Sequence, residues 1–333
     1  MIQHVDIIYG LAWGDEGKGK VSNAIAKNYD MVCRWNGGPN AGHTVWINNV
    51  KYKTHIIPCG VFQDKLSIIG PGCVIHPDKF YGELNYLHKN GFNIDLVKVS
   101  PKAHIITDDH IEYDLNNLKG KLGTTGQGIA PCYADKMLRK GKRAEDVFSR
   151  NFLWDEKLEG TILCEGAQSV WLDIDHGSYP YVTSSSTMPY SACSLGFSPK
   201  KINKLIGVAK MYDTKSGVDP LFPESLWEDK ILNQIIEEGQ EFGSTTGRKR
   251  LVNWLNLDKL IESIKLSGCT ELYINKCDVL ETVKKFKVIF EGTIVEFYDI
   301  DTMKDFIKYF IREQTEVKEI NFSGNKETVY ESI

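Results

Sequence analysis

Seven residues near the N-terminus, Gly14-Asp15-Glu16-Gly17-Lys18-Gly19-Lys20, bring glycines, lysines and a carboxylate together in the manner of an anion-binding loop. Glycines let backbone N–H groups converge on a phosphate, lysines add charge, and the start of a following helix favours the same ligand. The plain alternative is a glycine turn with solvated charges. Read as G-x-x-x-x-G-K-[ST] ending at Lys18, the stretch departs from the usual phosphate loop, because Ala12 replaces the first glycine and Gly19 the hydroxyl. A metal at this loop needs another ligand, and Asp15 is the nearest suitable carboxylate.

A second loop, Arg34-Trp35-Asn36-Gly37-Gly38-Pro39-Asn40-Ala41-Gly42-His43-Thr44, carries side chains that bind or transfer protons. Further on, residues 119–143 hold Gly120, Gly123, Gly126 and Gly128 with Thr124-Thr125, and end in Arg139, Lys140, Lys142 and Arg143. That composition suits an anion or a solvated connection. Residues 243–250 pack hydroxyls, glycines and two arginines, Arg248 and Arg250, into a stretch suited to carboxylates or phosphates, which guanidinium forks bind bidentately. Finally, Asn275-Lys276-Cys277-Asp278 after an apolar run can read guanine: the carboxylate accepts from the ring N1–H and the amino group, and the lysine stem covers the base. With a phosphate loop, this favours GTP over ATP.

These loops need strands to present them. Apolar runs at 5–9, 31–33, 66–69, 97–100, 103–107, 161–164 and 271–274 read as strands, as does 54–58, while 205–212 reads as strand or buried helix. Helical patterns cover 21–27, 78–89, 226–238, 251–266 and 303–312, with a hairpin around Gly292 and a last strand at 317–322. The alternation predicts an α/β fold: a mostly parallel central sheet flanked by helices, a P-loop NTPase-like nucleotide site and long functional loops on one side. Residues 1–333 read as a single domain, since neither repeats nor proline-rich linkers interrupt them. A net charge of −4 gives no general case for nucleic-acid or membrane binding, so phosphate attraction must be local. Eight cysteines without a C-x-x-C pair read as buried thiols in a reducing cytosol, and the N-terminus lacks the pattern of an export signal.

In order along the chain, residues 13–20, Asn40 to Thr44, Gly123-Thr124-Thr125-Gly126, Glu165-Gly166-Ala167-Gln168, Asp173-Ile174-Asp175-His176-Gly177 with residues 179–185, Thr245-Thr246-Gly247-Arg248 and Lys276-Cys277-Asp278 resemble the adenylosuccinate synthetase family. The resemblance implies a GTP-dependent ligase of purine biosynthesis, a homodimer working with Mg2+, that joins inosinate (IMP) to L-aspartate. It implies that Asp15 removes the N1 proton of inosinate, that His43 hydrogen-bonds to the transferring phosphoryl group, that Gln168 shares in catalysis, and that Asp15 and the Gly42 carbonyl hold the metal. GTP contacts would fall on Gly14 through Lys20, Gly42, His43, Thr44, Arg250, Lys276, Cys277 and Asp278, with Phe322, Ser323 and Gly324 a looser match. Inosinate would meet Asp15, Glu16, Gly17, Lys18, Asn40, Ala41, Gly42, His43, Thr125, Gln168, Thr183 and Arg248, and Arg143 would reach its phosphate from the partner subunit. L-Aspartate would lie against Ser244, Thr245, Thr246, Gly247, Arg248, Lys249 and Arg250.

Three departures touch the expected substrate side: Gln127 and Lys215 replace family arginines, and Met188-Pro189-Tyr190 replaces a small-residue run. A viral branch that condenses aspartate with deoxyguanylate, giving 2-aminoadenylosuccinate, generally carries serine where this chain has Asp15, so Asp15 favours inosinate, while Gln127 and the 188–190 run keep deoxyguanylate as the alternative substrate. A GTP-binding regulatory switch would use only the phosphate loop and residues 275–278, leaving His43, Gln168 and the 245–250 stretch without a role.

Overall fold

Side-chain alternation in the first strand decides the layering. In β1 (Ile2–Gly10), Val5, Ile7 and Tyr9 enter one hydrophobic layer, while Ile8 enters another with Val21 and Ile25 of the helix Lys18–Ala26. Successive residues of a strand point to opposite faces, so an uninterrupted apolar run requires cover on both sides. The structure, a computed structural model, describes residues 1–217, 219, 222–243, 247–327 and 329.

The central sheet has eight strands: β1, β2 (Met31–Arg34), β3 (Leu66–Ile69), β4 (Val97–Val99), β5 (Gly160–Ser169), β6 (Ile202–Lys210), β7 (Glu271–Asn275) and β8 (Glu319–Ser323). Their spatial order is β8-β7-β6-β1-β5-β2-β3-β4, and every neighbouring pair is parallel. Parallel pairing puts the loops that follow β1, β2, β5, β6 and β7 at one edge, where ligands of such sheets bind. A smaller sheet joins Tyr212–Lys215, Leu251–Asn256, Phe286–Phe290 and Thr293–Phe297, and the hairpin His43–Ile47 with Val50–Thr54 stands beside the site. Among the described residues, no helix is long and apolar enough to cross a membrane. The eight cysteines are free, and all but Cys193 are buried.

Several elements differ from expectation for identifiable reasons. Residues 55–57 leave the strand expected at 54–58 because the Glu83 carboxylate accepts their three amides, at 2.8, 3.1 and 3.1 Å. The basic stretch 119–143 is mainly helical, with Lys119–Leu122 and Ile129–Met137 separated by a turn that Asp114 holds through Thr124 Oγ1 and the Gly128 amide. The helix expected over 251–266 is a strand, Leu251–Asn256, and a helix, Leu257–Ser267. At 103–107 only His104–Ile105 pairs, and the ambiguous run at 205–212 lies largely within β6.

Asp213, on the strand Tyr212–Lys215, is 5% exposed and accepts the Asn256 amide at 2.8 Å. Burial pushes its carboxyl up from 3.8 to about 7. The native state therefore binds this proton more tightly than the unfolded chain, so the stability it contributes is present below pH 4 and lost as pH rises through 7. Asp213→Asn keeps an acceptor for the amide and cannot ionise. It is expected to remove this part of the pH dependence and to melt no lower than the parent at pH 8. A melting temperature several degrees lower at pH 8 would show that the ionised carboxylate is the stabilising form.

Candidate active site

The phosphate loop is braced by its own acid. Glu16 Oε1 accepts the amides of Ala12 and Gly14 at 3.2 and 2.8 Å, and Oε2 lies 2.8 Å from Lys18 Nζ. Burial alone would raise the Glu16 carboxyl, but the adjacent Lys18 charge outweighs it and holds the group below its ordinary value. Both loop lysines line the cleft and both already have partners: Lys18 pairs with Glu16, and Lys20 Nζ donates to the Asn325 carbonyl at 2.9 Å. Burial pushes the Lys20 ammonium down to about 8, and its Nζ donates to Ser323 Oγ at 2.8 Å. Gly17, at φ 90°, caps the helix Lys18–Ala26 without a side-chain hydrogen bond, which leaves the leading amides at the cleft wall. Gly19 has a steric explanation: a Cβ there would lie 2.7 Å from His43 Cβ, so a serine or threonine cannot coexist with this histidine.

His43 is set by residues remote in sequence. Arg34 Nη2 lies 2.9 Å from His43 Nδ1 and 2.5 Å from Glu165 Oε1, and Nδ1 is 2.9 Å from the same carboxylate oxygen. Glu165 also accepts from Ser22 Oγ and the Cys59 amide, at 2.6 and 3.0 Å. Burial and the Arg34 charge push His43 down to about 4, whereas Arg34 and His43 hold the Glu165 carboxyl low against its burial. Nδ1 lies 2.9 Å from both the Arg34 donor and the Glu165 acceptor, and the tautomer in which Nδ1 accepts from Arg34 and Nε2 carries the proton is the one that can donate to a phosphoryl oxygen. His43, Cys59 and Glu165 bring ligand atoms within 4.8 Å of one another, but the Arg34 guanidinium already supplies the cation there. Arg34→Met would leave Glu165 buried and unpaired, and is expected to cost roughly 3–5 kcal/mol of stability in urea unfolding. A loss under 1 kcal/mol would show that Glu165 is solvated or neutral.

These groups border a cleft of about 1210 Å³, which Gly14 through Lys20, Asn40 through Thr44, Thr125, Gln168, Thr183, Arg248, Arg250, Lys276 and Asp278 all line. Asp15 is left-handed at φ 62°, and its Oδ2 lies 2.8 Å from Arg250 Nε. Gln168 is likewise left-handed, at φ 60°, and its Oε1 and Asn40 Oδ1 find no partner within the described protein. At the far end Asp278 sits in the first turn of the helix Cys277–Val283, while Lys276 Nζ donates to the Gly239 carbonyl at 2.7 Å.

Other expected contacts stand back from the cleft wall. Cys277 is buried, and Phe322, Ser323 and Gly324 lie behind it; a Cβ on Gly324 would approach the Asp278 amide to 3.1 Å. Gly247 and Lys249 are exposed and do not line the cleft, while Ser244, Thr245 and Thr246 lie outside the described residues. Arg143 is away from the cleft of its own chain, with Nη1 3.3 Å from Glu145 Oε1. Of the departures, Gln127 accepts from Lys79 Nζ, and Lys215 lies 3.0 Å from both Asp219 Oδ2 and the Tyr181 carbonyl. Met188 and Pro189 are buried and Tyr190 is exposed; none lines the cleft. Arg34 stands in the second loop and Glu165 in the Glu165-Gly166-Ala167-Gln168 motif, but their pairing, and any part for Lys210 and Glu241, has no mark in the sequence because the partners are distant.

A family model for adenylosuccinate synthetase matches residues 7–161 and 151–321. The chain belongs to the adenylosuccinate synthetase family. Curated relatives of that name include those of Bacteroides fragilis, 38% identical over 357 residues covering 89% of this chain and 84% of the relative, and of Clostridium kluyveri, 38% identical with 87% and 82% covered. The fully ligated adenylosuccinate synthetase of Plasmodium falciparum superposes with a TM-score of 0.85 at 27% identity, covering 98% of each chain. A cyanophage S-2L succinoaminodeoxyadenylate synthetase, bound to dGMP and to dATP as energy donor, matches with a TM-score of 0.74 at 19% identity over 99% of this chain and 95% of the other, and shares the fold. As a member of the adenylosuccinate synthetase family, the chain is a ligase.

Proposed function

We propose that this ligase joins inosinate to L-aspartate at the expense of GTP, giving adenylosuccinate, GDP and phosphate in cytoplasmic purine biosynthesis. The observation that supports this most is Asp15: its carboxylate stands in the cleft between the phosphate loop and the Arg248 to Arg250 stretch, braced by Arg250. Asp15 takes the N1 proton of inosinate, so O6 becomes nucleophilic and attacks the γ-phosphorus while the bond to GDP breaks. The aspartate nitrogen then adds at C6 and phosphate leaves. His43 Nε2 donates to the transferring group, and Gln168 and Asn40 offer amides to the purine, since each has a free acceptor oxygen.

Mg2+ fits the same wall. The Asp15 carboxylate and the Gly42 carbonyl are hard oxygen donors that border one cleft, and a magnesium site completed by water and phosphate oxygens needs no larger protein set. The ion when bound would neutralise charge on the β- and γ-phosphates.

A homodimer completes the reading, with residues 1–333 of each chain acting as one domain. Arg143 and Arg139 are exposed on the segment that also exposes Met137 and Leu138, 73% and 67% accessible. Arg143 is the first candidate for the partner's inosinate phosphate and Arg139 the second, because a guanidinium matches phosphate bidentately. Mixing Asp15→Asn protein with Arg143→Leu or Arg139→Leu protein should restore activity for whichever arginine is shared, through hybrid dimers that hold one intact site.

Phosphate release measured with GTP and aspartate fixed, across inosinate, deoxyinosinate, guanylate and deoxyguanylate, tests the reaction. Release should need aspartate and should be fastest with inosinate. Turnover confined to deoxyguanylate would replace the substrate, and release without aspartate or a purine monophosphate would replace the ligase with a GTP-binding switch.

A further inference from the structure

Glu241 is a buried acid that the reaction scheme leaves unused. It is 1% exposed and borders the cleft, with Oε1 2.7 Å from Tyr212 Oη and 3.1 Å from Lys210 Nζ, and Oε2 2.5 Å from Arg250 Nη1. Backbone contacts fix the same pair: the Arg250 amide donates to the Glu241 carbonyl at 3.0 Å, and Phe242 bridges to Lys249. From the end of β6, charge therefore alternates through Lys210, Glu241 and Arg250 to Asp15, whose Oδ2 lies 2.8 Å from Arg250 Nε as an ion pair outside hydrogen-bond geometry.

The two oxygens of this carboxylate divide their partners. Tyr212 and Lys210 occupy Oε1, which leaves Oε2 to Arg250. A guanidinium is planar and rigid, so holding Nη1 fixes where Nε points. A lysine in place of Arg250 would have no second nitrogen with which to serve both acids. Lys210 and Arg250 together, with Lys276 nearby, outweigh the burial of Glu241 and hold its carboxyl down to about 2, so the bridge is charged throughout the working pH range.

We propose that Glu241 is a positioning residue of the reaction: anchored by Lys210 and Tyr212, it sets the plane of the Arg250 guanidinium and thereby the direction of the Asp15 carboxylate. This rests on the assignment of Asp15 as the base.

Glu241→Gln keeps the shape and the acceptor for Tyr212 but weakens the hold on Arg250. With activity normalised to the fraction of chains that bind GTP, kcat should fall about tenfold or more in Glu241→Gln and in Arg250→Met, and the double variant should be within about threefold of Arg250→Met alone. A purely structural Glu241 predicts otherwise: normalised kcat unchanged, or losses that multiply in the double variant, and either result overturns the proposal. If Glu241→Gln does not fold, Tyr212→Phe removes only the hydrogen bond to Oε1. It should then lower kcat in the parent and have no effect in the Arg250→Met background; an equal effect in both would equally refute the proposal. Failure of the underlying assignment is distinguishable, because Asp15→Asn would then retain turnover whatever the coupling between Glu241 and Arg250.

Discussion

Asp15→Asn and His43→Asn are each expected to lower kcat by about two to four orders of magnitude while leaving the fold intact. For Asp15 the choice of asparagine matters, because the residue is left-handed at φ 62° and asparagine tolerates that conformation nearly as well as aspartate. Alanine would add backbone strain to the loss of the carboxylate. The amide leaves Arg250 paired with Glu241 but cannot take a proton from N1 of inosinate, and it is a poorer partner for Mg2+. For His43 the substitution removes the Nε2 donor and leaves Arg34 and Glu165 paired with each other at 2.5 Å, so the buried charges stay compensated. Circular-dichroism melts should be close to the parent's, with the loss appearing in aspartate-dependent phosphate release. Activity within tenfold of the parent in either variant, at unchanged stability, would remove that residue from the mechanism.

Much of this site could be read from the sequence because its residues sit in contiguous loops directly after buried strands. The runs at 5–9, 31–33 and 271–274 are buried on both faces, as parallel central strands must be, and each leads into a loop that reaches the cleft, at Trp13, Asn40 and Asn275. Where periodicity served two structures equally, the reading went astray. Leu251, Val252, Trp254, Leu255, Leu257, Leu260, Ile261 and Ile264 satisfy helical spacing throughout, yet Leu251 to Trp254 pair with Tyr212–Lys215, and Leu255 and Asn256 pair with Val288 and Ile289. One local signal marks the change: Asn256, whose side chain accepts the Lys259 amide at 3.0 Å and so caps the helix that follows. The buried ion pairs had no such signal. Arg34 and Glu165 are 131 residues apart, and Lys210 and Glu241 are 31 apart; the register of the parallel sheet brings the first pair together, and the placing of Glu241 against the end of β6 the second. Gly19 lies between these cases: as a missing hydroxyl it was visible, but its cause, the approach of His43, depends on the hairpin.

Asp278→Asn is expected to move nucleotide preference from GTP toward xanthosine triphosphate. Asp278 borders the cleft from a first helical turn, and a Cβ on Gly324 would come within 3.1 Å of its amide, so the backbone that carries the carboxylate is closely packed. An ionised carboxylate offers two acceptors and no donor, which matches the N1–H and 2-amino group of guanine. Adenine has neither N–H at those positions, and its unprotonated N1 would oppose a carboxylate oxygen. An asparagine offers one acceptor and one donor, which matches the N1–H and 2-carbonyl oxygen of xanthine and leaves the guanine amino group facing a donor. Sites that hydrogen-bond a substrate reject the unmatched analogue strongly, and here both partners of the original pair become mismatched. The kcat/KM for GTP should therefore fall by about two orders of magnitude or more, and that for xanthosine triphosphate should rise to within about tenfold of the parent's value with GTP. Lys276→Met serves as the control: the stem that covers the base remains, so base preference should persist even where affinity drops. If the unaltered protein used ATP and GTP equally, or if Asp278→Asn kept its GTP preference, then Lys276 and Asp278 would be an ordinary pair at the end of a strand, and the base would have to be read elsewhere in the cleft.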